Sequence, residues 1–285
     1  KNDVKRPSQE RKLQQCVHGV EKKPLPHLLC TTNMLLHVID VPSSIRHDNT
    51  LARPLRDYGP RDRVDVILTN PPFGGMEEDG IESNFPKAFR TRETADLFLV
   101  LIMHLLKPGG RGAIVLPDGT LFGEGVKTRI KEKLLDECNL HTIVRLPNGV
   151  FNPYTGIKTN LLFFTKGEPT RDIWFYEHPY PPGYKSYSKN KPIRIEEFEP
   201  EKKWWGQPDA RGGFKGRKSS EQAWKVSAAD IKAGGYNLDI KNPHDADSGP
   251  GDPDQLLEDL QEVRQQGQEV LEKLKQELAN ALGGK

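Results

Sequence analysis

Four consecutive residues, Asn70-Pro71-Pro72-Phe73, carry groups that suit chemistry on a flat, amine-bearing molecule. They follow an apolar run over 64–69 that predicts a buried strand. Two prolines cannot continue a central strand, because neither has a backbone N–H. The strand therefore ends abruptly and presents an amide, a rigid turn and an aromatic ring at its carboxyl end, where open α/β sheets bind their ligands.

These groups together suit a purine such as adenine. An amine on an aromatic ring is a poor nucleophile, because its lone pair is delocalised into the ring. The side-chain carbonyl of Asn70 and the main-chain carbonyl of Pro71 can accept both amine hydrogens, which helps to localise and aim that lone pair. Phe73 offers a face for stacking, and a base in a duplex reaches such a pocket only after flipping out. For the tetrapeptide alone, an ordinary turn after a strand is the alternative.

Further blocks in one order along the chain extend this interpretation. They are Gly19-Val20-Glu21 and the segments 23–30, 32–37, 48–51, 65–75, 107–111, 116–119 and 151–166. On these blocks the chain resembles, over about 19–243, the modification (M) subunit of type I restriction-modification systems. That family is an adenine-specific DNA methyltransferase that uses S-adenosylmethionine. So many ordered blocks are far more specific than one short motif.

The resemblance implies an α/β fold of the Rossmann-like, S-adenosylmethionine-dependent methyltransferase type, with a mostly parallel sheet and a carboxyl-terminal helical extension. Helices alternate with short apolar strands along the chain, as this class requires. The runs 141–146 and 160–166 follow each other without a helix between them, which predicts an antiparallel edge hairpin.

The family's Gly-rich loop after its first strand does not occur upstream of Gly19. We therefore expect the first strand to be missing, and with it part of the cofactor site. Either the chain was shortened at its amino end or further residues precede Lys1. A chain in this state is expected to be inactive by itself.

Composition divides the chain into five segments. Residues 1–16 are a residual amino-terminal segment, 17–169 the partial catalytic domain, and 170–243 an irregular, aromatic and basic region packed on the sheet. A Pro/Gly/Asp linker is predicted over 244–254 and a helix over 255–285. We favour a loop-rich cover for the aromatic region over a DNA-facing surface, because no basic stripe accompanies the aromatic residues.

The predicted carboxyl-terminal helix needs a partner. Leu260, Val263, Val270 and Leu274 form an apolar stripe at heptad-like spacing, and a long helix separated from a core must bury such a stripe. The resemblance implies the specificity (S) subunit as that partner, and packing on its own domain is the alternative. It also implies DNA, a restriction (R) subunit and a second M subunit as partners.

The resemblance further implies a cofactor site at strand ends. Glu21 would accept hydrogen bonds from the ribose of S-adenosylmethionine, Asp48 and Asn49 would face its adenine, and Asn70 would border it. The alternatives are a solvated glutamate at a strand end and an Asp-Asn turn.

The segment 151–166 is expected to contact the target base and DNA. Phe151 or Tyr154 would supply a second aromatic ring for the flipped base, since the local spacing leaves both within reach. Lys158 would contact a DNA phosphate or hold the loop. A packed aromatic ring at a hairpin mouth is the alternative.

Charge and cysteine usage narrow the class of protein. A net charge of +2 gives no global basic field, so we expect a separate subunit to choose the DNA target. The three cysteines are isolated and the eight histidines form no ligand cluster, which predicts reduced thiols and no metal site. No apolar run has the length of a membrane span, and no signal peptide is visible. These features predict a cytoplasmic, prokaryotic protein without membrane contact.

The predicted function is transfer of a methyl group to the exocyclic amine of a flipped-out adenine in DNA. One alternative is a protein glutamine methyltransferase, whose Asn-Pro-Pro-aromatic motif usually ends in Tyr where this chain has Phe73. Another is a scaffold that binds partner subunits without catalysis.

Overall fold

The computed structural model describes residues 6–37, 39, 44–209 and 213–244, and scattered residues from Leu260 to Lys275. The chain divides into two compact units, Lys1–Asn242 and Pro243–Lys285. Except for His244, the predicted linker over 244–254 lies outside the described residues, as does much of the predicted helix over 255–285. The residues of that helix that are described are helical and exposed.

The first unit alternates helices and strands. Its helices are α1 (Pro7–Gln15), α2 (Pro24–Leu36), α3 (Thr94–Leu105), α4 (Asp118–Phe122), α5 (Val126–Glu137), α6 (Glu199–Trp204) and α7 (Ala228–Ala233). Its strands are β1 (Gly19–Glu21), β2 (Ile45–His47), β3 (Val64–Thr69), β4 (Leu106–Pro117), β5 (Cys138–Arg145), β6 (Thr159–Lys166), β7 (Asp172–Glu177), β8 (Gln207–Pro208), β9 (Phe214–Lys215) and β10 (Ala223–Ser227).

The main sheet has six strands in the order β10-β7-β5-β6-β4-β3. Strands β3, β4, β5 and β7 run in one direction, and β6 and β10 run in the other. This confirms the predicted α/β class with a mostly parallel sheet. β1 and β2 form a separate parallel pair, so among the described residues no strand joins them to β3.

The antiparallel hairpin forms from β5 and β6, as predicted, but its predicted edge position is wrong. β6 lies between β5 and β4, and β7 pairs with the other side of β5. The reason lies in the segment 170–243, where Asp172–Glu177 and Ala223–Ser227 are strands of the sheet rather than irregular structure. Consecutive apolar residues in both runs obscure the alternation that would have indicated a strand.

Side chains alternate between two faces of the sheet. Ile143 and Leu162 pack into the larger core, which α3, α5 and α7 cover. Their neighbours Val144 and Leu161 pack into a smaller cluster on the other face, with Phe198 and Trp204 from the α6 region. The sheet is therefore covered on both faces, as expected for a sheet with parallel strands.

β3 is less buried than the sequence predicted. Leu68 is 76% exposed and Val66 is 45% exposed, because β3 pairs with β4 on one side only. α2 likewise leaves Leu28 and Leu36 in solvent. In the described part of the chain, this region is the least covered apolar surface of the first unit.

The connection from α3 to β4 is tight. The helix ends at Leu105, and the chain enters the strand at Leu106. The register of β3 against β4 shifts between Val64 and Val66, next to this turn. A Cβ on Gly110 would lie 2.8 Å from the carbonyl oxygen of Lys107, so only glycine fits there.

The centre of the sheet depends on a second glycine. Gly112 of β4 lies opposite Phe164 of β6, and a Cβ on Gly112 would be 2.5 Å from the buried Phe164 ring. We expect Gly112→Ala to lower the free energy of unfolding by about 1–3 kcal/mol, because the overpacked ring must shift. Denaturant unfolding measures this change.

Gly119→Ala is the matched control. Gly119 lies in α4, and an added Cβ there meets nothing within 4 Å. We expect this control to unfold like the parent protein or slightly later. Equal losses in the two variants would contradict a steric role for Gly112.

Candidate active site

Asn70 lies directly after β3, outside the last ladder pair of Thr69 with Ile114. The residue is exposed, whereas Pro71 is buried. No hydrogen bond from the Asn70 amide to any described residue is present, and the amide is therefore available to a ligand. Within the described residues, the Asn70 amide therefore takes no part in stabilising the fold.

Phe73 packs against Phe151 from the loop between β5 and β6. The ring centroids lie 5.2 Å apart at an interplanar angle of 70°, which is an edge-to-face contact. Tyr154, the other aromatic candidate, is 91% exposed. The structure therefore brings Phe151 to the end of β3 and leaves Tyr154 at the outer surface of the loop.

The turn that follows Phe73 is anchored to the start of α3. The backbone carbonyl of Gly75 accepts hydrogen bonds from the Thr94 backbone N–H (3.1 Å) and from its hydroxyl (2.9 Å). A Cβ on Gly75 would lie only 3.3 Å from the Thr94 hydroxyl. Thr94 is buried, so this contact fixes the chain where it leaves the catalytic motif.

Glu77 connects three elements at this edge. Its carboxylate accepts hydrogen bonds from the Asn49 amide and from the Thr94 hydroxyl, each at 3.3 Å. Lys22, just after β1, lies 3.9 Å from the same carboxylate. The carboxylate thereby ties the ends of β1 and β2 to the loop after β3. Its position in an acidic loop, Glu77-Glu78-Asp79, gives only a weak sequence signal for this role.

The predicted cofactor residues lie together at the ends of β1 and β2. The backbone N–H of Asp48 donates to the carbonyl of Glu21 at 3.1 Å. The Glu21 carboxylate accepts the backbone N–H of Lys23 through Oε1 at 2.7 Å. Asp48 Oδ1 accepts the backbone N–H of Asn49 at 2.8 Å, a contact compatible with both the predicted cofactor role and the alternative Asp-Asn turn. Glu21 Oε2 makes no hydrogen bond to a described residue and could accept one from a ligand.

Asp118 is a further carboxylate at the same edge. It follows β4, whose parallel pairing with β3 directs both carboxyl ends to one side. The buried Asn160 amide donates to Asp118 Oδ1 at 2.6 Å, and the Asp118 backbone N–H donates to the Lys158 carbonyl at 3.1 Å. Lys158 thus reaches this edge through its backbone. The motif Leu116–Gly119 carried the resemblance, but nothing in its spacing indicated that Asn160 fixes the carboxylate.

A buried ion pair holds the start of α3 in place. Asp96 accepts hydrogen bonds from Lys127 at 2.6 Å and from Thr120 at 3.1 Å. Burial raises the pKa of Asp96, although the Lys127 ammonium opposes that change. The pKa of Lys127 is also raised, because its hydrogen bonds to Asp96 and Glu93 outweigh the effect of burial. This pair joins α3 to α5 beside the loop that Thr94 anchors.

The described residues contain neither a metal-binding cluster nor a membrane-spanning helix. No group of three or more His, Cys, Asp and Glu side chains among them could hold a metal ion. No helix in the described part of the chain is long and apolar enough to cross a membrane. All three cysteines are free thiols, and Cys138 is buried.

A parallel strand that ends in Asn-Pro-Pro-Phe, beside acids at neighbouring strand ends, is the arrangement expected of an amino-methyltransferase. A family model described as N-6 DNA Methylase matches residues 1–249, and the chain belongs to this family. The family predicted from the sequence blocks is therefore confirmed. The chain is 60% identical over 283 residues to the type I restriction enzyme EcoEI methylase subunit of Escherichia coli. That match covers 99% of this chain and 57% of the subunit.

Solved structures give the same result. A type I restriction enzyme modification subunit from Vibrio vulnificus YJ016 is 47% identical, with a TM-score of 0.77 over 85% of this chain and 51% of that chain. A chain from a structure on complex assembly and conformational transition of the type I R-M system is 39% identical, with a TM-score of 0.79. This match covers 98% of the present chain and 58% of the other. The chain therefore spans about half the length of the relatives it matches.

The contacts of Glu77 generate a prediction about local stability. We expect Glu77→Ala to loosen the loop after β3, because the Asn49 amide loses its acceptor and the Thr94 hydroxyl keeps only the Gly75 carbonyl. Amide hydrogen exchange over 74–93 should become faster, while exchange in the core of α5 stays unchanged. Glu78→Ala is the control, since this carboxylate is largely exposed and pairs only with Lys22 among the described residues. Similar exchange in both variants would contradict the linking role of Glu77.

Proposed function

We propose that this protein transfers a methyl group from S-adenosylmethionine to the exocyclic amine of an adenine flipped out of DNA, as the modification subunit of a type I restriction-modification system. The observation that carries the proposal is the exposed amide of Asn70 at the end of a parallel strand, where no described residue hydrogen-bonds to it. Membership of the N-6 DNA methylase family supports an adenine amine in DNA as the acceptor.

Bound S-adenosylmethionine supplies an electrophilic methyl group on a sulfonium. The residues of this chain position the amine that attacks it. The Asn70 side-chain carbonyl and the Pro71 main-chain carbonyl accept the two amine hydrogens, and the amine releases a proton after attack. No early general base is needed, so near-attack geometry accounts for much of the rate.

The remaining site residues divide between cofactor and base. Glu21 uses its second carboxylate oxygen for the cofactor ribose, and Asp48 and Asn49 border the adenine of the cofactor. Among the described residues, β1 and β2 form a sheet of their own, separate from the six-stranded sheet that contains β3.

Phe73 and Phe151 form the aromatic wall for the flipped base. Their contact at 5.2 Å supports Phe151 over Tyr154 for this role, because Phe151 already lies at the end of β3. Because the two rings touch edge to face, a base enters by stacking on an exposed ring face or by displacing one ring. Lys158 directly precedes β6, the strand whose Asn160 holds Asp118. From this position, Lys158 is the proposed contact with a DNA phosphate.

The carboxyl-terminal helix is the proposed contact with the specificity subunit. Leu260 and Leu274 are 62% and 60% exposed, which leaves their stripe open to a partner. The restriction subunit, a second modification subunit and DNA complete the proposed assembly. The cytoplasm of a prokaryote is the proposed compartment.

The two other candidate functions have less support. A protein glutamine acceptor is disfavoured by the match to an N-6 DNA methylase model and by the methylase subunits among the relatives. A scaffold without catalysis would not need an amide and a pair of aromatic rings together at the end of β3, where Phe73 and Phe151 meet.

The catalytic proposal predicts the effect of removing the amide. In the full-length protein, with the specificity subunit and target DNA present, we expect Asn70→Ala to lower methyl transfer about 10²-fold or more, because the attacking amine is no longer held. Transfer of a labelled methyl group from S-adenosylmethionine to DNA measures this rate. The melting temperature should stay unchanged, because the amide has no partner among the described residues.

Asn190→Ala is the matched control, since Asn190 is exposed and lies in another loop. Its activity should equal that of the parent protein. Phe151→Ala in the same assay should lose more activity than Tyr154→Ala. Near-normal turnover of Asn70→Ala would overturn the catalytic assignment.

The assembly proposal predicts a loss of subunit binding. We expect Leu260→Asp with Leu274→Asp to abolish co-purification with the specificity subunit, because charges would replace the apolar stripe. Gln268→Asp on the same helix is the control and should bind normally. Normal binding of the double variant would exclude this helix as the interface.

A further inference from the structure

A cavity of about 640 Å³ lies at the other end of β3 from Asn70. Arg63, which precedes β3, and Leu106, which begins β4, contribute to its wall. Arg63 and Asn70 are separated by the whole strand, which is about 20 Å at ~3.3 Å per residue. The cavity is therefore distinct from the proposed methyl-transfer site.

Cationic side chains dominate the polar part of this cavity. They are Arg56, Arg63, Arg90, Lys133 and Lys166, and they face a single carboxylate, Glu137. Glu137 accepts hydrogen bonds from Lys166 at 2.5 Å and from Lys133, and so these two lysines are already neutralised in part. Most of the positive charge that remains comes from the three arginines.

The guanidinium groups carry N–H donors that no described residue accepts. Within the described ranges, Arg63 makes no side-chain hydrogen bond or ion pair, and Arg90 uses only Nε, which donates to the Phe85 carbonyl at 3.2 Å. Arg56 approaches Asp57 at 3.7 Å on the open surface. Unpaired guanidinium groups at a cavity rim are suited to bidentate binding of phosphate.

The remaining wall is apolar and aromatic. Phe85 is buried, and Phe89 lies beside it with the Lys133 ammonium 5.7 Å from its ring centroid. Val100 and Met103 of α3 are fully buried below them. The volume falls in the range of about 300–1,000 Å³ that small-molecule sites occupy. The cavity thus combines a surface for a planar ring with arginines for an anion.

We propose that this cavity binds a nucleoside polyphosphate, with the base against Phe89 and the phosphates at Arg63 and Arg90. An inorganic anion would leave the aromatic wall empty, and a neutral apolar ligand would leave the guanidinium groups without a counter-charge. A nucleotide satisfies both parts at once. The cavity is independent of the proposed methyl-transfer site, because it lies at the amino end of β3, whereas Asn70 follows the carboxyl end of that strand.

Calorimetry with ATP tests this site. Excess S-adenosylmethionine is present, so that ATP does not report on the cofactor site. We expect the parent protein to bind ATP, and the double variant Arg63→Ala with Arg90→Ala to bind at least about tenfold more weakly. Arg194→Ala removes one positive charge from an exposed residue outside the cavity and should leave the affinity unchanged.

Two further probes decide the ligand class. Adenosine and inorganic tripolyphosphate should each bind at least about tenfold more weakly than ATP, because each satisfies one half of the cavity. Should the alanine variant not fold, Arg63→Lys with Arg90→Lys keeps the charge but loses the fork geometry, and should still weaken ATP binding.

Several outcomes would overturn the proposal. They are no ATP binding by the parent protein, unchanged affinity in the arginine variants, and equal affinity for tripolyphosphate, which would indicate a simple anion site. Tighter binding of a single-stranded oligonucleotide that depends on the same arginines would instead assign a nucleic-acid surface.

Discussion

The parallel pairing of β3 with β4 is the constraint on which the site depends. It directs the carboxyl ends of both strands to one edge, so that Asn70 and Asp118 follow neighbouring strands on the same side. The prolines after Asn70 have no N–H to extend the ladder, so β3 must stop at Thr69. The amide therefore lies beyond the last strand pairing, where it is free to bind a ligand.

Contacts around the carboxyl ends of these strands hold the site residues in fixed positions. Thr94 holds the turn at Gly75, and Glu77 joins that turn to the end of β2 through Asn49. The buried pair of Asp96 and Lys127 fixes the helix that carries Thr94. Each of these contacts joins residues that lie close together in space. Several contacts, rather than a single one, therefore set the position of the catalytic motif.

The sequence predicted the elements whose ends are marked by proline or glycine, and it missed the strands that show no regular alternation. β3 and α3 were predictable because apolar runs meet prolines or glycines at their ends. β7 was not, because consecutive aromatic residues show no period-two pattern. The motif indicated Asn70, whereas Glu77 and Asp118 have roles that depend on partners distant in sequence, which a single sequence does not reveal.

The apolar surface on α2 and on the outer edge of β3 has a thermodynamic consequence. Leu36 and Leu68 are already hydrated in the folded chain, so unfolding exposes less new hydrocarbon here than in a fully covered domain. Because the heat-capacity increment of unfolding grows with newly hydrated apolar area, these two leucines add little to it. A smaller increment lowers the curvature of stability against temperature.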